Sequence, residues 1–284
     1  MQLQFQRRLS RGLQALASYT WSHSIDIASN DSNIFTPLTP NIDRGSSDFD
    51  VRHAFNAAVT YDIPAPAVGK VGKAILGNWS VDTIVTTRSA LPVNVIAITD
   101  FTGGFQTDIR PNLIPGVPLY VDDPSAPVRR FNDATYGLAD NARLLAAGCL
   151  KVARDPGDPP PPPIGPAKGA FCTPSAGGQG NLGRNVLRGF PVFQIDIALR
   201  RQVSLTERIK LQLRAEAFNI FNHPNFGDPG ANFNFTNDLS SPLFGQSTQM
   251  LGRSLGSGGT SGGFNPLYQI GGPRSIQLAL KVQF

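Results

Sequence analysis

The chain reads as an all-β protein, an antiparallel transmembrane β-barrel fragment of about seven strands with short periplasmic turns and long extracellular loops. Three observations carry this. Apolar and polar residues alternate along seven segments of the length a tilted strand needs to cross a bilayer, roughly 9 to 11 residues. The connections between them alternate between short and long. Aromatic residues gather at both ends of the apolar faces.

The last strand shows the alternation most clearly. Ile276, Leu278, Leu280, Val282 and Phe284 share one face, and Gln277, Ala279, Lys281 and Gln283 the other. In the preceding strand Ile209, Leu211, Leu213, Ala215 and Ala217 alternate with Lys210, Gln212, Arg214 and Glu216. Before that, Phe193, Ile195, Ile197 and Leu199 alternate with Gln194, Asp196, Ala198 and Arg200. A few residues around Ser204 to Glu207 join these two as a tight hairpin, and Asp196 is expected to reach Arg214 across it, directly or diagonally.

Leu3 and Phe5 oppose Gln2, Gln4 and Gln6 in the first strand. After a turn at Ser10 to Gly12, Leu13, Ala15, Ala17, Tyr19 and Trp21 oppose Gln14, Ser18, Thr20 and Ser22. Phe55, Ala57, Val59 and Tyr61 mark a third strand, and Trp79, Val81, Thr83 and Val85 a fourth, with Asp82 and Arg88 facing away.

Short connections fall near 10–12, 63–77 and 204–207, long ones near 23–50, 90–190 and 220–272. With Phe284 periplasmic, Tyr61 and Trp79 reach the periplasmic rim, and Tyr19, Trp21, Phe55 and Phe193 the outer rim. Arg201 is the one expected exception on the apolar face, close enough to the periplasmic end to snorkel. An arginine replacing Leu211 or Leu280, both placed near mid-strand, should cost about 2–4 kcal/mol.

Composition agrees. Of 284 residues only 16% are charged, and 29 Gly with 24 Pro disfavour a helical protein. No run of about 18 apolar residues exists to make a transmembrane helix. The charge of +5 is scattered rather than gathered on one surface, so no nucleic-acid partner is expected. Met1 to Ile25 is basic but too polar after its arginines to be a signal-peptide core, and reads as strand. Asp155 to Asp158 followed by Pro159 to Pro163, and the run Gly256 to Gly263, read as loop.

Cys149 and Cys172 lie in one long irregular segment. A disulfide closing that loop is one reading and two unpaired thiols the other. His23, His53 and His223 are too far apart for a local metal motif and read as loop histidines, so no metal or cofactor is expected. No Gly-x-Ser-x-Gly elbow and no P-loop is present, and enzyme chemistry finds no support. The polar-face charges Asp82, Arg88, Asp196, Arg200, Lys210, Arg214, Glu216 and Lys281 read as a lumen wall pairing with its neighbours, with a substrate path as the sharper alternative.

Several segments together resemble the C-terminal barrel of TonB-dependent receptors, in particular the Oar-like group. They are the closing strand ending in Phe284, the run from Arg214 through Asn219, Phe221, Asn222 and His223 to Phe226, Gly183-Arg184-Asn185 with Asp196 downstream, Asp50-Val51-Arg52-His53, and Asn78-Trp79-Ser80 followed by Ser89-Ala90-Leu91-Pro92. The resemblance covers nearly the whole chain apart from the long loops. It implies a barrel of about 22 strands enclosing a plug, a bacterial outer-membrane location, and uptake powered through a TonB complex that touches the plug.

Signal peptide, plug and N-terminal domain are then expected to lie outside this chain, which reads as the C-terminal part of one barrel, 1–284. Ile276, Leu278, Leu280, Val282 and Phe284 would form the signal read by the barrel-assembly machinery. The alternative is a secreted structural or adhesive β-sandwich binding through its long loops. The two differ in whether the apolar faces meet outer-membrane lipid or a second sheet.

Overall fold

The computed structural model describes residues 1–29, 40–65, 69–100, 107–132, 147–149, 169–175, 179–229, 239, 243–254 and 270–284. The proline run Pro159–Pro163 and the glycine run Gly256–Gly263 lie outside the described residues.

Seven strands form one antiparallel sheet: β1 (Gln2–Ser10), β2 (Leu13–Trp21), β3 (His53–Asp62), β4 (Trp79–Arg88), β5 (Val192–Ser204), β6 (Lys210–Phe218) and β7 (Ser275–Gln283). Their order in the sheet is their order in the chain, an up-and-down meander. The sheet is open, with β1 and β7 at its edges. Connections at one end are 11–12, 63–78 and 205–209; those at the other are 22–52, 89–191 and 219–274. Every long loop therefore leaves from the same end.

Local chemistry explains the short turns. Arg11 and Gly12 both have positive φ, 52° and 79°, the backbone of a two-residue hairpin turn whose twist matches its strands. A Cβ on Gly12 would lie 2.7 Å from the Asp62 carbonyl oxygen, which passes directly beside it. The 63–78 connection contains a short helix, α1 (Lys70–Leu76), where the sequence reading expected only a turn. The Trp79 indole N–H donates to the Ile75 carbonyl at 3.3 Å and ties that helix to the start of β4.

Cross-strand register assembles the alternating residues into rows. Leu3, Tyr19, Phe55, Thr87 and Phe193 align near the long-loop end. Leu13, Tyr61, Val81, Leu199, Ala215 and Leu278 align nearer the other. Nothing described covers this face: Ile276 is 69% and Leu278 79% exposed. The opposite face is polar and closer packed, with Gln194 and Ala198 buried.

The buried apolar core is not on the sheet's apolar face but among the long loops. Val93, Val95, Phe131, Phe171, Leu182, Leu187 and Phe244 pack into one cluster, with the Phe171 and Phe244 rings edge-on at 5.5 Å. Ile114 packs with Cys149 and Cys172, which are disulfide-bonded. So the segment read as irregular loop has a packed interior in its described parts. Its apolar residues meet from scattered positions and have no period to reveal them.

Two register expectations are corrected. Asp196 does not reach Arg214. Strand β5 aligns Arg200 with Arg214, one row below where an Asp196 contact would need it, because the hairpin loop spans 205–209. Arg201 is not the only basic residue of its parity either: Arg7 aligns with Ala15, next to a bulge in edge strand β1.

Candidate functional site

Three surfaces have the chemistry to act: the apolar face, the polar face, and the packed loops above them. On the apolar face the aromatic residues mark both ends. Trp79 aligns with Arg201 at the short-turn end, and the Arg201 guanidinium lies over the Trp79 ring at 5.4 Å. Tyr19, Phe55 and Phe193 sit at the other end, where the Tyr19 hydroxyl is 2.8 Å from His53 Nδ1. A sheet that exposes rows of leucine between two aromatic belts fits hydrocarbon between two interfaces.

On the polar face the expected charges do not converge on one point. Arg200 pairs with Asp82 at 3.6 Å, and the Thr60 hydroxyl donates to Asp82 at 2.8 Å. Arg214 pairs along its own strand with Glu216 at 2.8 Å. Asp196 accepts from Gln194 Nε2 at 2.9 Å and from the Asn219 amide at 2.8 Å. Arg88 ends β4 near the long loops, where its charge acts on Asp228. Lys210 and Lys281 stand exposed toward the short-turn end. Next to Arg200, a polar groove of about 320 Å³ runs between Gln14, Thr60, Asp62, Ser80 and Gln202.

The loop end holds what sequence reasoning missed. Arginines of the 89–191 loop reach over and grip acids of the 22–52 loop. Arg188 Nη2 donates to Asp50 Oδ2 at 2.6 Å, and its Nη1 to the Asp50 carbonyl at 2.7 Å. Arg52 Nε donates to Asp50 Oδ2 at 2.8 Å, the Ser24 amide donates to Oδ1 at 2.8 Å, and His23 Nδ1 lies 3.3 Å from Oδ1. Burial alone would raise the Asp50 carboxyl, but these donors outweigh it and hold the group far below its ordinary range.

Arg184 pairs with Asp26 at 2.5 Å and Asp48 at 3.2 Å, and Asn185 Nδ2 donates to Asp48 at 2.6 Å. Arg110, buried, pairs with Asp43. Each pair is far apart in sequence, Arg184 and Asp26 by 158 residues, so no spacing announces it. The only available sign was the placing of Asp50-Val51-Arg52 and Gly183-Arg184-Asn185 at loop ends.

A second lock holds the 219–274 loop. Asn219, at φ 48°, turns the chain off β6. Its Nδ2 donates to the His223 and Gly272 carbonyls, both at 2.9 Å, and its Oδ1 accepts the His223 amide. Asn225, fully buried, accepts the Phe193 amide at 2.9 Å. The three histidines stay apart: His23 on Asp50, His53 on Tyr19, His223 edge-on to Phe193. Among the described residues no group of His, Cys, Asp and Glu is placed to hold a metal ion.

Residues 1–265 match the family model of an outer membrane beta barrel domain. No match is found among the curated proteins or among the solved structures. The exposed leucine rows, the aromatic belts and the one-ended long loops are what such a domain requires, and the chain belongs to the outer membrane β-barrel family, which places it in the bacterial outer membrane.

Proposed function

We propose that this chain is the C-terminal barrel portion of a TonB-dependent, Oar-like receptor that binds and takes up a ligand, with a transport role and not an enzymatic one. The observation that carries the reading is the two-faced sheet: one face is exposed leucine, and the other is a polar wall of ion-paired residues around Asp82 and Arg200. A wall of this kind lines a water-filled or plugged lumen. A β-sandwich would bury the leucine rows under a second sheet, and among the described residues they are bare.

The segments that resemble the Oar-like group support the finer assignment, because they hold the outer end together. Asp50 binds both Arg52 and Arg188, Arg184 binds Asp26 and Asp48, Asn185 binds Asp48, and the Asn219 to Asn225 corner anchors the last loop. The plug and its TonB contact belong to the proposed parent receptor. The closing strand, with Phe284 fully exposed, is the element offered to the barrel-assembly machinery.

The test uses the full-length gene product, tagged within the 219–274 loop and purified from outer membranes. Co-elution with the periplasmic domain of TonB is expected. Elution without it, at protein levels where a known receptor is captured, would refute TonB coupling and leave the barrel standing. Separately, Phe284→Ala should slow assembly into the heat-resistant folded form; unchanged assembly would remove the role given to this residue.

A further inference from the structure

We infer that the lipid-facing wall, from its periplasmic rim to mid-height, holds one phospholipid with a negatively charged headgroup, its phosphate on Arg201 and an acyl chain in the hollow beside Trp79. The hollow measures about 380 Å³ and is lined by Trp79, Leu199, Leu213, Ala215, Leu278 and Leu280. Its shape follows from register. Ala215 aligns with Leu199 on one side and Leu278 on the other, so a small side chain lies between two large ones and leaves a trough on the apolar face.

Charge selects the occupant. Arg201 shares the parity of Leu199 and Leu213, and it is placed on the lipid side, where a cation near mid-bilayer is costly and one near the interface is not. It lies three residues before the end of β5, with its guanidinium held over the Trp79 ring, so it is aimed at headgroup height. An arginine at that level suits a phosphate oxygen bidentately.

Helix α1 adds a second cation at the same rim. It carries exposed Lys73, Ile75 and Leu76, and its Ile75 carbonyl accepts the Trp79 indole proton. The next turn, 205–209, carries Glu207 and Arg208, whose charges offset each other. Arg7, the other basic residue of this parity, is on the far edge strand, away from this hollow. The Phe284 carboxylate lies by that same turn, and Arg201 with Lys73 outweighs it, so the rim is left positive where a phospholipid of the periplasmic leaflet would meet it.

The test is photo-crosslinking of the full-length protein in vesicles. Phosphatidylglycerol and phosphatidylcholine probes carry the same diazirine acyl chain, and adducts are mapped by mass spectrometry. Labelling at Leu213–Ala215 and Leu278–Leu280 is expected to be about fivefold greater from phosphatidylglycerol, the ratio equivalent to about 1 kcal/mol for one basic residue near a membrane surface. Arg201→Gln should reduce it to the phosphatidylcholine level and Arg201→Lys should keep part of the excess. Equal labelling of the unaltered protein by both probes overturns the site. So does an excess that survives Arg201→Gln.

Discussion

An arginine scan down the apolar face should report depth in the bilayer, and the register states which position is deep. Leu278 is one residue from the centre of β7, pairs with Ala215, and is 79% exposed, with none of the described residues above it. Leu211 is only the second residue of β6 and aligns with Val282 and Val203 near the periplasmic rim. The sequence reading placed Leu211 near mid-strand; the pairing moves it to the edge. Leu278→Arg should therefore cost about 2–4 kcal/mol, and Leu211→Arg about 0–1 kcal/mol. Gln277→Arg, on the polar face beside Glu216, should cost less than Leu278→Arg.

Urea titration of the full-length protein folded into vesicles, followed by the shift of the folded band on unheated gels, gives these differences directly. Equal costs at Leu278 and Leu211 would refute the placement, since only hydrocarbon makes the penalty depend on height. A penalty at Gln277 exceeding that at Leu278 would exchange the two faces of the sheet.

The other predictions concern the outer loops. Asp50→Ala strips the acceptor from Arg188 and Arg52 and should cost the loop assembly about 3–5 kcal/mol, read as faster protease nicking of whole cells while the sheet's urea midpoint stays put. Because the folded Asp50 carboxyl lies below the ordinary value of 3.8, its contribution is complete above that value and is lost as pH falls through the folded one; loop protection should be level from pH 7 to pH 5 and fail only in stronger acid. Asp228 runs the other way. Burial raises it to about 6 against the Phe190 amide and Arg88, so the folded form holds its proton more tightly and the 219–274 loop gains stability as pH drops through about 6 toward 3.8. Asp228→Asn should remove that step in hydrogen exchange, worth at most about 3 kcal/mol, and a Cβ placed on Gly189 would collide with the same carboxylate. Replacing both Cys149 and Cys172 by serine opens a loop of 23 residues' separation and should cost the Ile114 cluster about 3 kcal/mol, with no effect on assembly of the sheet, as exchange rates in the two regions will show.

The sheet was legible because its two environments alternate at the period of the backbone. Leu278 and Gln277 must differ, since one meets hydrocarbon and the other water, and the difference recurs every second residue along seven strands. Position along the strand was less legible. Asp196 and Arg214 both read as polar-face residues, and they do share that face, but which row each occupies depends on the five-residue hairpin loop at 205–209, whose Leu205 and Thr206 amides both donate to the Ile209 carbonyl. Arg7, by contrast, was legible, since it continues the alternation of Leu3 and Phe5 ahead of the bulge near Ser10. The loop core was not legible at all. Phe131, Phe171 and Phe244 belong to no repeat, and each is surrounded by Gly, Pro and Asn that read as turn.

These two halves are stabilised by opposite physics, and that bears on how the molecule works. The sheet exposes its apolar residues to lipid and, among the described residues, has no core against that face, so its rigidity comes from the backbone ladder and the bilayer. The outer loops stand in water and use globular means: a phenylalanine core, a disulfide, and arginines set on buried acids. Arg110, Arg184 and Arg188 all come from one loop, and Asp26, Asp43, Asp48 and Asp50 all from another. Loops that served only as connectors would not need their charges matched across 67 to 158 residues. Two loops pinned together present one surface of fixed shape above the polar wall, the condition for recognising something that arrives from outside. On the receptor role proposed above, removing Asp50 therefore separates the functions: a barrel that assembles normally but has lost its outer surface should keep its lipid contacts and lose ligand capture.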